Sequence, residues 1–242
     1  MCGRFAVTTD PARLAAQIDA IDETGGQVRG PNYNIAPTAR VAAVVARHDS
    51  PDDEATRRLR LMRWGLLPPW VKAGSDGAPH VKGPQLINAR AETVTTSPAF
   101  RSAAARKRCL VPMDGYYEWQ RNADDPKGRK TPYYFHRADG SPLLVGGLWS
   151  VWKPDPAVAT SAEPLLTFSV ITTAAVGELA TVHDRMPLIL DGRDWDRWLD
   201  PDEAAPEDLL AGPPDISVIA IREVSTLVNR VANNGPELLE PV

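Results

Sequence analysis

The sequence predicts an α+β fold in one domain, built on an antiparallel, barrel-like β-sheet with short flanking helices. Three observations lead there. Short apolar runs of strand composition recur between turn signals along most of the chain. Helical periodicity is confined to brief segments. No repeat, phosphate-binding glycine loop or linker divides the 242 residues, which are 43% hydrophobic and 24% charged and long enough for one substantial core.

A short strand over residues 3–7 opens the chain. Asp10-Pro11 supplies an N-cap and a proline at the first helical position. Leu14, Ile18 and Ile21 then recur at helical spacing until Gly25-Gly26 stops the helix. Residues 31–38 read as a loop carrying Asn32, Asn34 and Pro37, which enters a buried strand over 41–46. The polar segment 48–57 is a hairpin connection. It leads to 59–64, where leucine, methionine and tryptophan alternate with arginine in the period of two of a half-buried strand.

Residues 65–85 form a long irregular stretch rich in glycine and proline that carries Trp70 and Lys72. Loops of that length inside a domain are usually functional. After a strand over Asn88 and Arg90, Ser97-Pro98 opens a short helix ending in a basic cluster. Residues 109–120 read as strand, turn, strand, with Asp114-Gly115 as the turn. A polar hairpin tip over 121–130 precedes a strand over 132–136. Further strands are expected at 143–152 and 165–173, a short helix over 174–182, and an acidic helical stretch around Trp195, Trp198 and Leu199. A last strand over 216–221 precedes a polar tail that ends with residues 236–242.

Two cysteines, Cys2 and Cys109, give no disulfide framework, and no apolar run approaches the ~20 residues of a membrane span. With no signal peptide at the start, a reduced, cytoplasmic setting is expected, nucleoid-associated when DNA is bound. Cysteines and histidines lack metal-ligand spacing, so no metal and no cofactor is expected. The formal charge is −4, yet basic residues outnumber acids between Arg101 and Lys130. That run fits either one basic face or ordinary solvated surface.

Cys2 is the first chemical candidate. If Met1 is removed, Cys2 carries a free α-amine beside its thiol, groups that ordinarily titrate near pH ~8 and ~8.5. Such a 1,2-aminothiol condenses with an aldehyde to an imine and then closes a thiazolidine ring. The alternative is an inert, reduced cysteine. Glu118 lies between aromatics on a strand, which suits a desolvated carboxyl acting as an acid, or an edge-strand ion pair. His183 follows a helical segment and fits an imidazolium or a structural histidine. Asn88 and Arg90 share a strand face, where amide and guanidinium suit a sugar hydroxyl and a phosphate, or brace a loop. Arg4 is expected on the strand face of Cys2, able to lower nearby pKa values.

Six ordered motifs, MCGRFA at the start, YNIAP at 33–37, WGLLPPW at 64–70, INARAET at 87–93, DGYYEW at 114–119 and HDRMP at 183–187, resemble the SRAP family, the SOS-response-associated peptidase domain. The resemblance spans nearly the whole chain and implies a single SRAP domain, a monomer. It implies a shield for abasic sites in single-stranded DNA or at a single-strand/double-strand junction. Cys2 couples to the ring-opened abasic sugar, Glu118 assists proton transfer, His183 aids ring opening and reversal, and Asn88 contacts the sugar or amine. Arg90 and Arg4 hold flanking phosphates, and Asn34, Thr172 and Arg185 support the pocket or the DNA backbone. Pro37 and Trp70 form a wedge against stacked bases, although Trp70 equally suits a core position. The resemblance also implies autoproteolytic removal of Met1 and lyase-like chemistry at the lesion. The loop 71–85 is longer than the family pattern, and two tyrosines precede Glu118. Two other classes stay open: an N-terminal-nucleophile amidohydrolase, and a single-strand binding module in which Cys2 is incidental.

Overall fold

A computed structural model describes residues 2–28, 30–121, 128–153, 164–212 and 215–242. Met1 and most of the expected hairpin tip at 121–130 fall outside them. Among the described residues the strands are β1 (Phe5–Val7), β2 (Ile21–Asp22), β3 (Asn32–Ile35), β4 (Arg40–Arg47), β5 (Thr56–Trp64), β6 (Asn88–Arg90), β7 (Arg108–Met113), β8 (Gly115–Gln120), β9 (Thr131–Arg137), β10 (Leu143–Trp152), β11 (Leu165–Ala174), β12 (Arg185–Pro187) and β13 (Ile219–Glu223). The α-helices are α1 (Pro11–Gln17), α2 (Arg101–Arg106), α3 (Trp195–Leu199) and α4 (Glu207–Ala211).

Strands β5, β4, β7, β10 and β11 pair in that order, and β5 returns to β11 through a parallel pairing, Thr167 with Arg63 and Phe168 with Trp64. Five strands thereby close on themselves, which removes their free edges. A second, five-stranded sheet runs β13-β9-β8-β1-β3. The α+β, barrel-like architecture expected from the sequence is the one observed. Its main core holds Trp64, Phe168, Val111, Val145 and Met62 of the barrel together with Phe5, Tyr116 and Phe135 of the second sheet. Phe5 sits 4.9 Å from Trp64, ring centre to ring centre, and fastens the two sheets together. All four α-helices bury their apolar residues, such as Leu14, Ala104, Trp198 and Leu210, in a separate cluster with Val44 and Leu59.

Several expectations are corrected. Helix α1 stops at Gln17, Asp19 takes φ +50°, and Ile21 lies half-exposed in β2 rather than on the helix. Within the expected loop 31–38, Asn32–Ile35 is strand β3, paired with β1. Asp114-Gly115 is a corner between two sheets, since β7 pairs with β4 and β10 while β8 pairs with β1 and β9. The Asp114 carboxylate fixes that corner by accepting from the Thr8 N–H at 2.5 Å and the Thr9 hydroxyl at 3.2 Å. Glycine is needed at 115 for closeness alone, because a Cβ there would lie 2.4 Å from the Phe135 carbonyl oxygen. Nor is the C-terminal segment a free tail: Val228 and Leu238 are fully buried beside Tyr117 and Tyr134.

The basic run from Arg101 does not make one face. Its described residues are divided between α2, β7 and the segments next to β8 and β9, and its Arg108, in β7, is 2% exposed. That guanidinium donates to the carbonyls of Ala104, Ala105, Trp198, Asp200 and Glu203, tying α2 and α3 to β7. A buried cation whose hydrogen bonds all go to carbonyl oxygens, and which also lies over the Trp198 ring, organises the 198–203 turn around itself. Replacing it with leucine orphans several carbonyls at once. Arg108→Leu is expected to lower stability by roughly 3 kcal/mol, read as a lower urea midpoint with an unchanged slope.

Candidate functional site

Cys2, Asn88, Glu118 and His183 come from four distant segments and converge where the second sheet meets the barrel. Cys2 is fully buried and packs in the main core with Phe5. Its carbonyl oxygen accepts from Asn88 Nδ2 at 2.8 Å. Asn88 owes its place to β6, which lies parallel to β11 with Asn88 opposite Val170 and Arg90 opposite Thr172. The other amide atom, Asn88 Oδ1, is buried and has no partner among the described residues. It is an acceptor facing the nucleophile's surroundings.

Glu118 enters from β8, 3% exposed. Burial raises its carboxyl pKa, and nearby positive charge, His183 included, works against the rise. The Cys2 thiol is pushed well above its usual range, first by burial and then by Glu118; a hydrogen bond from the Arg4 backbone pulls the other way. These effects place Glu118 within electrostatic reach of both Cys2 and His183. In this state the thiol is protonated and dormant.

Two residues that sequence reasoning missed complete the arrangement. Tyr116, on the Glu118 face of β8, is buried and has its phenol pKa pushed up by burial, then by Cys2 and Glu118. The period of two counted back from Glu118 would have found it. Gln120, counted forward, donates to the Thr181 carbonyl at 2.8 Å and so ties β8 to the 3₁₀ turn Gly177–Thr181 that precedes His183. His183 Nδ1 lies 2.9 Å from Asp184 Oδ1 and 3.0 Å from the Arg185 N–H. One nitrogen cannot serve both at once. It accepts from Arg185 when the ring is neutral and donates to Asp184 when it is charged.

The remaining expected residues fall into two bracing groups and three residues at the surface. Arg4 does not share the face of Cys2, because residues 2–4 precede β1 and strand alternation does not extend to them. Its guanidinium donates to Asn34 Oδ1 at 2.7 Å and the Val228 carbonyl at 2.9 Å, and lies over the Trp119 ring. Asn34, 3% exposed, spends its amide on the carbonyls of Val228, Arg230 and Asn233. Thr172 is fully buried, and Arg185 makes a bidentate pair with Glu92 at 2.5 and 2.9 Å and donates to the Thr172 carbonyl. Asn34 and Thr172 are thus internal braces with no surface to offer a ligand. Arg90 is exposed at the end of β6. Trp70 is 60% exposed, which excludes the core position. Pro37 is partly exposed and precedes Thr38, held at φ +76°. A β-branched residue there is strained, and its N–H donates to the Trp64 carbonyl at 2.9 Å.

The model of the SOS response associated peptidase family, SRAP, matches residues 1–231. The chain belongs to the SRAP family. Among SRAP relatives, the abasic site processing protein YoqW of Bacillus subtilis is 34% identical over 99% of both chains. Its counterpart YoaM from the same organism is 36% identical over 99% of this chain and 98% of its own. The abasic site processing protein HMCES of Xenopus tropicalis is 31% identical over 100% of this chain and 78% of its own. The SRAP fold is also seen in a crystal structure of a Bacteroides thetaiotaomicron protein, with a TM-score of 0.78 at 23% identity and full coverage of both chains. A phage-related protein of Bordetella bronchiseptica matches with a TM-score of 0.66 at 27% identity, over 92% of this chain and 94% of its own.

Two measurements test this geometry. A carboxyl with a raised native pKa binds more protons folded than unfolded, so stability falls as pH climbs from its ordinary ~4.3 through the raised value. Glu118→Gln removes that cost. Its melting temperature is expected to exceed that of wild type at pH 7.5 and to converge on it at pH 4; an equal gain at both would exclude a raised Glu118. Second, the folded chain bearing Met1 should take up no iodoacetamide at pH 7.5, whereas the unfolded chain takes up two equivalents, counted by intact mass.

Proposed function

We propose that this chain captures abasic sites in single-stranded DNA, or at a single-strand/double-strand junction, by covalent bonding through Cys2. The observation that carries the reading is the anchorage of Cys2 by its carbonyl oxygen to Asn88, beside the buried Glu118. Holding that residue from its C-terminal side leaves its nitrogen and sulfur for chemistry. The relatives YoqW, YoaM and HMCES, named abasic site processing proteins, point to the electrophile.

Hydrolysis of the Met1–Cys2 peptide bond consumes one water and frees the amine; self-processing of this bond belongs to the same proposal. Glu118 and His183 move protons between the ring oxygen and the anomeric hydroxyl, opening the hemiacetal sugar to its aldehyde. The Cys2 amine adds to the aldehyde carbon, and loss of one water leaves an imine. Sulfur then bonds to that carbon while the thiol proton passes to nitrogen, closing the thiazolidine. A Glu118 carboxyl whose pKa burial raises suits delivery of the proton that the departing hydroxyl needs. Arg90 and the exposed Trp70 face solvent, where they can meet phosphate and base, with Pro37 as the second part of the wedge.

Incubation with a single-stranded oligonucleotide containing one abasic site, followed by a heated denaturing gel, tests the proposal. The wild type chain lacking Met1 should give a shifted band, and Cys2→Ala should give none; equal yields would sink the thiazolidine. Glu118→Gln should slow adduct formation by about 100-fold, and His183→Ala should slow release from the adduct.

A further inference from the structure

A cleft separate from the Cys2 site opens on the helix-bearing side of the barrel. Its floor is the β4–β5 pair, where Ala42 stands opposite Leu61. Leu14 of α1 forms one wall and Ile35 of β3 another. Gly26 and Gly30, at φ +66° and +85°, bend the chain along the rim in left-handed backbone that glycine takes without strain. Asn234 of the C-terminal segment completes the lining. The space measures about 760 Å³, and none of Cys2, Asn88, Glu118 and His183 borders it.

Three features identify what fits. Arg40 is the one charged group that lines the cleft, and it has no carboxylate within ion-pair distance among the described residues. Its neighbour across the strand pair is a second cation, Arg63, and like charges directly opposite each other repel. Arg63 turns its Nη1 to the Gly65 carbonyl at 3.1 Å, so Arg40 is left facing the cleft with nothing to neutralise it. Asn234 accepts from the Tyr33 N–H through Oδ1 at 2.7 Å, which leaves Nδ2, a donor only, as the free end of its amide. The rest of the contact surface is largely hydrocarbon, from Leu14, Ile35, Val41 and Leu61. A guanidinium fork matches a carboxylate through two parallel hydrogen bonds. One cation neutralises one negative charge, the apolar walls call for a hydrocarbon body behind it, and the volume is that of an ordinary small-molecule site.

We propose that this cleft is a binding site for a small carboxylic acid with an apolar body, its carboxylate on Arg40 and Asn234 and its hydrocarbon against Ile35 and Leu61. The site uses none of the residues assigned to DNA capture and stands or falls apart from that reading. Two probes of the same shape test it: naphthoate, a fluorescent carboxylate, and naphthylmethanol, its neutral counterpart. Each is titrated into wild type, Arg40→Gln and Ala42→Phe. Wild type should bind one equivalent of naphthoate saturably and more tightly than the alcohol. Losing a charge-assisted hydrogen-bonded pair should weaken naphthoate roughly 10- to 150-fold in Arg40→Gln while the affinity for naphthylmethanol is kept. Ala42→Phe fills the cleft from its floor and should abolish binding of both probes. Ligand-free melting temperatures equal to wild type establish that the variants fold; should Ala42→Phe fail to fold, the comparison of the two probes on Arg40→Gln still decides. No saturable naphthoate binding at millimolar concentration, or equal naphthoate affinity in wild type and Arg40→Gln, would overturn the inference. Naphthoate binding that survives in a folded Ala42→Phe would place the ligand elsewhere and overturn it too.

Discussion

Strand β11 has partners along both edges, and the site depends on that. On one edge it pairs with β10 and then β12; on the other it meets β5 and then β6. Each handover fixes a register. Pairing with β6 sets Asn88 opposite Val170, pairing with β12 sets Arg185 opposite Ala174, and His183 lies just ahead of β12. A one-residue slip would turn Asn88 away from Cys2, because alternate residues face opposite sides of a sheet. Barrel closure through β5 makes such a slip hard to accommodate. The precision of the constellation is therefore borrowed from the core, from buried residues such as Trp64 and Phe168.

Polar groups at the site divide into those that brace and those left to react. Arg4, Asn34, Thr172 and Arg185 are committed to carbonyls, carboxylates or one another. Asn88 spends its amide nitrogen but keeps its oxygen, and Glu118 sits in a setting that disfavours its charged form. A buried thiol, a carboxyl whose pKa burial raises and an unfilled acceptor thus share the site. Arg90 stays solvent-facing at the end of β6.

Strands with strong alternation or continuous β-branched and aromatic content, β5, β10 and β11, were legible in the sequence because core packing rewards the pattern that marks them. The pairing of Cys2 with Asn88, Glu118 and His183 was reachable through motifs, but their geometry depends on sheet registers that no local pattern encodes. Strand β3 escaped because NYNI is rich in asparagine; the Asn34 amide serves the C-terminal segment, while Asn32 Oδ1 accepts locally from the Asn34 N–H. Arg108 was read as surface charge, since nothing local announces a cation that five carbonyls will enclose. Arg4 was misplaced by applying strand alternation to residues ahead of the strand. Asp114-Gly115 has the composition of a hairpin turn, and only the assignment of β7 and β8 to different sheets reveals a corner.

The bonds from Arg4 and Asn34 to Val228, Arg230 and Asn233 join the beginning of the chain to its end, and this has a temporal consequence. A ribosome adds ~5–20 residues each second, so about 200 residues separate the two partners by ten seconds or more of synthesis. The segment that carries Cys2 emerges first yet gets its brace last. The growing polypeptide consequently passes through most of translation with the brace around Arg4 and Asn34 unmade.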